Sequence, residues 1–290
     1  MKTGFIGLGN IGKPMARQLL KLGGQVTVYD LDPAPVGELA VLGARVAESA
    51  GGIARNSTII GICVRGDADV DALLYGPAGL LASASRDSII AIHSTVTRDA
   101  MLRWAAAGAN HGVHVIDAPI TGGAAGAEAG TLTYMVGGAG DIIERCRPVF
   151  ATSGQRIIHA GPVGNGIALK LCNNLMTYAA FAAIHEATAL AGAGNLDPQL
   201  LIEVGRSNGV ITAQMEAFFT NRTKLAGAGE EGLRRALGPF AALGKKDLAA
   251  ALASAAALDL RLPVTEQVAA AMDDTFLGRV DSPRDWKSKQ

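Results

Sequence analysis

A short apolar strand that runs straight into three spaced glycines and then into a helix leaves a chain few ways to fold. Near the N-terminus the sequence reads Thr3-Gly4-Phe5-Ile6-Gly7-Leu8-Gly9-Asn10-Ile11-Gly12-Lys13-Pro14-Met15-Ala16. In a G-x-G-x-x-G turn the first glycine permits the tight bend and the second lets backbone approach a pyrophosphate. The third lets the helix pack close to the strand, and the helix N-terminus turns its partial positive charge toward the phosphates. The strand-turn-helix context is what that mechanism requires. Gly7, Leu8, Gly9, Asn10, Ile11 and Gly12 are therefore expected to contact a dinucleotide.

A second strand over residues 25–30 ends in Asp30. An acid about 20 residues beyond the fingerprint accepts hydrogen bonds from the adenosine ribose, and it repels a 2′-phosphate. Leu31 follows, where an arginine would welcome that phosphate. The expectation is NAD rather than NADP. Asp32 is the alternative ribose ligand if the strand runs on, and both acids could instead open a turn before Pro33.

Lys+Arg and Asp+Glu each number 26. No basic stripe points to nucleic acid and no charged tail to a polyanionic partner. Cys63, Cys146 and Cys172 sit in apolar runs without metal spacing, and read as reduced core residues of a cytoplasmic protein. No metal site is expected. Residues 168–194 are apolar but contain Lys170, Asn173, Asn174, His185 and Glu186, which suits a buried helix better than a membrane span. The N-terminus reads as the first strand, not a signal peptide.

The chain changes pattern along its length. Strand candidates at 5–8, 26–30, 58–64, 88–93, 113–117, 132–136 and 156–159 alternate with helical segments such as 34–42 and 98–107. Such alternation implies an α/β fold with a mostly parallel sheet. Beyond Gly166 the strand signal stops, and helical runs cover 167–193, 198–204, 238–257 and 263–276. Residues 205–209 and 225–232 read as loops, and 282–290 as a frayed end. The reading is a Rossmann-type domain over residues 1–162 and an all-α domain over 163–290, entered through one long helix.

Two further segments hold chemistry. Asp117-Ala118-Pro119-Ile120-Thr121-Gly122-Gly123 follows a strand end, where open α/β sheets place ligands. A hydroxyl followed by two glycines offers an O–H and unencumbered N–H groups, suited to a carboxylate. A flexible loop has the same composition. Lys170 and Asn174 lie four apart and share one helix face. A lysine in so apolar a helix is costly unless its charge is used, suppressed or carried out to solvent. Beside a nicotinamide ring its neutral amine could take the proton of a substrate alcohol.

Four blocks, 7–15, 117–126, 161–174 and 244–248, together resemble the β-hydroxyacid dehydrogenase family, in family order and spacing and over essentially the whole chain. The resemblance implies NAD-dependent oxidation of a small β-hydroxyacid with Lys170 as general acid/base and Asn174 as substrate ligand. It implies that Thr121, Gly122 and Gly123 bind the substrate carboxylate and that Thr95 lies near the nicotinamide. It also implies that Val64 contacts the adenosine side through its backbone and that Lys246 reaches the cofactor. Members commonly pair through the helical domain, so a homodimer or homotetramer is expected. Three departures stand out. Thr121 replaces the usual Ser, and its methyl crowds the pocket. His93 stands where many members have Asp, and reads as structural. Residues 205–211, where the family shapes its distal pocket, match no particular member. Imine reductases on the same scaffold, which generally lack the lysine and prefer NADPH, are the alternative enzyme. Lys170 and Asp30 argue against that alternative. A non-catalytic dinucleotide-binding module is the alternative outside enzymes, and Lys170 with Asn174 argues against it.

Overall fold

The computed structural model describes residues 1–280. The expectation of a frayed end over 282–290 lies outside them. The chain divides into two compact units, Met1–Leu171 and Cys172–Gln290. The first alternates strand and helix: β1 (Lys2–Ile6), α1 (Gly12–Leu19), β2 (Gln25–Tyr29), α2 (Pro33–Val41), β3 (Arg45–Val46), α3 (Ala50–Asn56), β4 (Ile59–Ile62), α4 (Asp67–Leu74), α5 (Leu80–Ser83), β5 (Ile89–Ile92), α6 (Arg98–Asn110) and β6 (His114–Asp117). Then come β7 (Ile120–Thr121), α7 (Gly123–Ala129), β8 (Leu132–Gly137), α8 (Gly140–Phe150) and β9 (Gly154–Gly161).

One sheet orders the strands β3-β2-β1-β4-β5-β6-β8-β7, with β9 on β8. The first six are mutually parallel, β8 runs antiparallel to β6 and β7, and β9 is parallel to β8. Ile59–Ile62 and Ile89–Ile92 are buried at every position. Central strands covered on both faces read as unbroken apolar runs, which is how these two appear in the sequence. The order reverses direction at β1, which has β2 on one side and β4 on the other. Ligands of open α/β sheets bind beyond the carboxyl ends of strands at such a switch point.

His93 lies in the middle of this unit, as a structural histidine should. It is 4% exposed. Its Nδ1–H donates to the Ala118 carbonyl at 2.9 Å, and its ring stacks on Phe5 with centroids 5.8 Å apart. Burial pushes the imidazole from 6.5 down to about 4. Between those values the unfolded chain binds a proton that the folded chain refuses. Stability from this group is therefore complete above about pH 6.5 and falls as the pH drops toward 4, by roughly 3 kcal/mol. The thermal midpoint should fall more steeply below pH 6.5 in the wild type than in His93→Phe. Equal slopes would contradict this account of the buried ring.

The second unit is helical. The long helix α9 (Asn165–Ala193) starts in the first unit and is followed by α10 (Pro198–Ser207), α11 (Ala213–Leu225), α12 (Gly229–Ala256), α13 (Pro263–Ala270) and α14 (Met272–Leu277). Its core stacks Phe181 on Phe218 at 4.5 Å and sets Phe276 edge-on to Phe218 at 5.2 Å. His185 donates from Nε2 to the Arg279 carbonyl at 3.0 Å. Arg222 donates to His185 Nδ1 and to the Thr275 carbonyl, which ties α9, α11 and α14 together. Three expectations are corrected. Residues 205–207 finish α10, which stops at Asn208, before Gly209 turns left-handed at φ +77°, and 229–232 open α12. Cys172 is exposed rather than in the core. It lies three residues after Leu169, which is also exposed, on the outward face of α9.

Candidate active site

The three turn glycines each do a separable job. Gly7 has φ +88°, and its N–H donates to the Tyr29 carbonyl at 3.1 Å. A Cβ there would stand 2.2 Å from the Cys63 carbonyl oxygen. At Gly12 a Cβ would stand 1.9 Å from the Gly7 carbonyl oxygen, so only glycine lets α1 come this close to the strand. At Gly9 a Cβ would meet nothing within 4 Å. The outer face of the turn is thus open, as close approach of a pyrophosphate demands. Ile11, the N-cap of α1, gives no side-chain cap, and the first turn carries no acid. The positive end of this helix is not neutralised by a carboxylate of its own.

Asp30 follows the last residue of β2 and reaches this turn. Its Oδ2 accepts the Leu8 N–H at 2.5 Å and its Oδ1 the Asp32 N–H at 2.8 Å. Because β2 ends at Tyr29, Asp32 falls at the start of α2, and its Oδ1 accepts the Ala34 N–H at 2.9 Å. Asp32 is thus the N-cap of α2. Leu31 is 86% exposed beside Asp30. On the other flank, the Val64 N–H donates to Ser94 Oγ at 2.8 Å, joining the ends of β4 and β5 just before half-buried Thr95. Open glycine backbone, an uncapped helix start and a strand-end acid together fit a dinucleotide.

Thr121 ends β7, and Gly122 and Gly123 lead into α7. Both glycines are exposed, with φ +121° and +64°. Consecutive residues of this kind leave their amides free of side-chain cover. Four residues upstream, Asp117 ends β6 and is fully buried. Its Oδ1 accepts the Gly164 N–H and its Oδ2 the Ile167 N–H, each at 2.8 Å. This fastens the first turn of α9, the helix that carries Lys170.

Lys170 is half-buried, and Asn174 is buried on the same helix. Asn174 Nδ2 donates to Asp247 Oδ2 at 2.7 Å, and the Tyr178 hydroxyl donates to the same oxygen at 3.3 Å. Lys246 Nζ lies 3.2 Å from the other oxygen, Asp247 Oδ1. Burial first, and then the Asp247 charge, push the Tyr178 hydroxyl above its ordinary range. Asp247 thus joins two residues that the sequence marks separately, and although it lies in the 244–248 block, the sequence assigns it no role. The signal is local, the Lys246-Asp247-Leu248 run, but its partner Asn174 lies far away in sequence. Among the described residues no cluster of three His, Cys, Asp or Glu could hold a metal.

The chain resembles known proteins in sequence and in fold. The pattern of the NAD binding domain of 6-phosphogluconate dehydrogenase matches residues 2–161. A 2-(hydroxymethyl)glutarate dehydrogenase of Eubacterium barkeri is 38% identical over 75% of this chain and 74% of its own. A 3-hydroxyisobutyrate dehydrogenase of Pseudomonas aeruginosa is 39% identical over 69% of this chain and 67% of its own. Among solved structures, Mycobacterium tuberculosis 3-hydroxyisobutyrate dehydrogenase with L-serine superposes with a TM-score of 0.79 and 27% identity, covering 94% of this chain and 93% of that one.

Proposed function

The chain belongs to the β-hydroxyacid dehydrogenase family of oxidoreductases, and on that premise we propose that it interconverts a small β-hydroxyacid and its aldehyde or ketone, using NAD. The observation that carries this reading is Lys170, one helical turn before Asn174, on a helix whose first turn is held through the Ile167 N–H by Asp117 and whose Asn174 side chain is held by Asp247. In this reading residues 1–162 form the dinucleotide-binding domain and residues 163–290 a helical substrate and oligomerisation domain.

NAD, when bound, supplies the carbon that accepts or returns hydride. The chain's residues do the rest. The amides of the Thr121-Gly122-Gly123 turn hold the substrate carboxylate. Asn174, its amide fixed by Asp247, orients the substrate hydroxyl. The neutral Lys170 Nζ takes the hydroxyl proton during oxidation, and the ammonium returns it to the forming alkoxide during reduction. Thr95 serves the nicotinamide side and Val64 the adenosine side, and Lys246 is assigned to the cofactor.

The closing of β2 by Asp30 and the exposed Leu31 beside it support NAD over NADP. A single set of initial rates tests cofactor and substrate class together. We expect higher kcat/KM with NAD, a shift toward NADP in Asp30→Asn with Leu31→Arg, and little turnover of the amide of the best acid. Equal wild-type kcat/KM for the two cofactors would refute the role of Asp30. Comparable turnover of acid and amide would refute a carboxylate site in the Thr121–Gly123 turn.

The outer face of α9 supports a homodimer or homotetramer. Leu169, Met176 and Leu190 are exposed, the last two at 69% and 76%, and with exposed Ala183 they recur every seven residues. Apolar side chains repeated along one exposed helix face offer a surface for another copy of the chain, which carries the same face. Light scattering should give a dimer or tetramer mass. A mass near the 29.6 kDa chain would contradict this.

A further inference from the structure

Asp117 is a buried ionisable group that the proposed chemistry leaves without a task. Solvent does not reach it. Glycine closes in on both oxygens: a Cβ at Gly137 would stand 2.5 Å from Oδ1, and one at Gly166 would stand 2.8 Å from Oδ2. Burial pushes the carboxyl up, and the amides of Gly164 and Ile167 pull it part of the way back. A carboxylate taken out of water costs stability unless every bond is well made. A serine or threonine at the N-cap of α9 would satisfy a helix start without that cost. What a carboxylate adds is two acceptors on one rigid group, so that two amides are held at once, with a negative charge against the start of a 29-residue helix.

Two stretches of chain meet at this group. From Asp117 the backbone runs through Ala118, Pro119 and Ile120 into the Thr121–Gly123 turn. From Ile167, held by Oδ2, α9 reaches Lys170 within one turn. We propose that Asp117 is a positioning residue: by fastening the first turn of α9 to the strand end that feeds the glycine turn, it sets where the Lys170 amine stands relative to the bound carboxylate. This rests on the proposed roles of the turn and of Lys170. The residues involved all belong to the first unit. Misplacing a reacting group by about 1 Å can cost on the order of a hundredfold in rate, so a rigid junction here has value for turnover that it lacks for the fold alone.

The test is Asp117→Asn in the full chain, which keeps the shape but turns an NH2 toward one of the two amides. Two measurements are made. Hydrogen exchange without ligand should speed up at least about tenfold over residues 164–171, with α1 and α6 unchanged. Turnover of the best β-hydroxyacid should fall at least about tenfold, with NAD affinity retained and the pH limb of kcat displaced as the Lys170 environment changes. Unchanged exchange and turnover would overturn the proposal. So would activity that falls only in step with NAD binding and thermal midpoint while the pH limb stays put, the pattern of a general structural defect. Should the asparagine variant fail to fold, Asp117→Ser, smaller and with one acceptor, is subject to the same expectations. A wild-type enzyme that turned over no β-hydroxyacid would sink the functional reading instead, and the exchange result would still decide whether Asp117 fastens the helix.

Discussion

Lys170→Ala is expected to lower turnover by roughly 10²- to 10⁴-fold, the usual contribution of a positioned general acid or base. NAD affinity should stay close to that of the wild type, because the Gly7–Gly12 turn and Asp30 are far from residue 170 in sequence and make their bonds without it. The loss should appear in kcat more than in the KM of the acid, since the amine acts on the proton in flight rather than on the carboxylate. The rate of the alanine variant should also lose the pH limb that belongs to the amine. Lys170→Arg should not restore activity, because a guanidinium keeps its proton across the working range. A variant that kept near-normal kcat would remove Lys170 from proton transfer.

The second large effect concerns the glycine turn, where two substitutions separate structure from binding. At Gly12 an added Cβ would stand 1.9 Å from the Gly7 carbonyl oxygen and 3.2 Å from Phe5 Cε1, so backbone must move. Overpacking of this kind costs about 1–3 kcal/mol. Gly12→Ala should therefore lower the thermal midpoint and weaken NAD by about tenfold or more. Gly9→Ala is different. Nothing lies within 4 Å of the new methyl, so the fold should be as stable as the wild type. The methyl instead occupies the space a pyrophosphate needs, and NAD should still bind more weakly. Isothermal titration and thermal melts on the two variants read both quantities. Wild-type NAD affinity in Gly9→Ala would mean that no phosphate approaches the turn.

What could be read from the chain beforehand follows physical lines. The buried parallel strands were visible because both faces are covered, which leaves runs such as Ile59–Ile62 and Ile89–Ile92 with no polar interruption. The two-residue strands β3 and β7 were not, since a pair of residues has no period. Helix α11 was missed because Thr220, Asn221, Arg222 and Thr223 break its apolar pattern. Arg222 instead turns inward to His185 and Thr275, a partnership no spacing announces. The candidate site divides the same way. The glycine turn and Asp30 follow a local code, in which strand, turn and helix are contiguous. Asp117 and Asp247 do not. Their partners lie 47 and 73 residues away, at Gly164 and Asn174, and a buried acid looks like any other acid until those partners are placed. Cys172 is exposed despite its apolar neighbours in sequence, because such a neighbourhood does not say which side of a helix faces out.

The most direct test of the account is the near-ultraviolet absorbance of reduced nicotinamide when the wild-type enzyme is mixed with NAD and a panel of small acids that have a hydroxyl on the β-carbon. 3-Hydroxyisobutyrate, serine, glycerate and 3-hydroxypropionate belong in it, with Lys170→Met beside the wild type. The account predicts reduction of NAD by at least one of these acids and its loss in Lys170→Met. No reduction by any of them, or equal reduction by the two proteins, would contradict it.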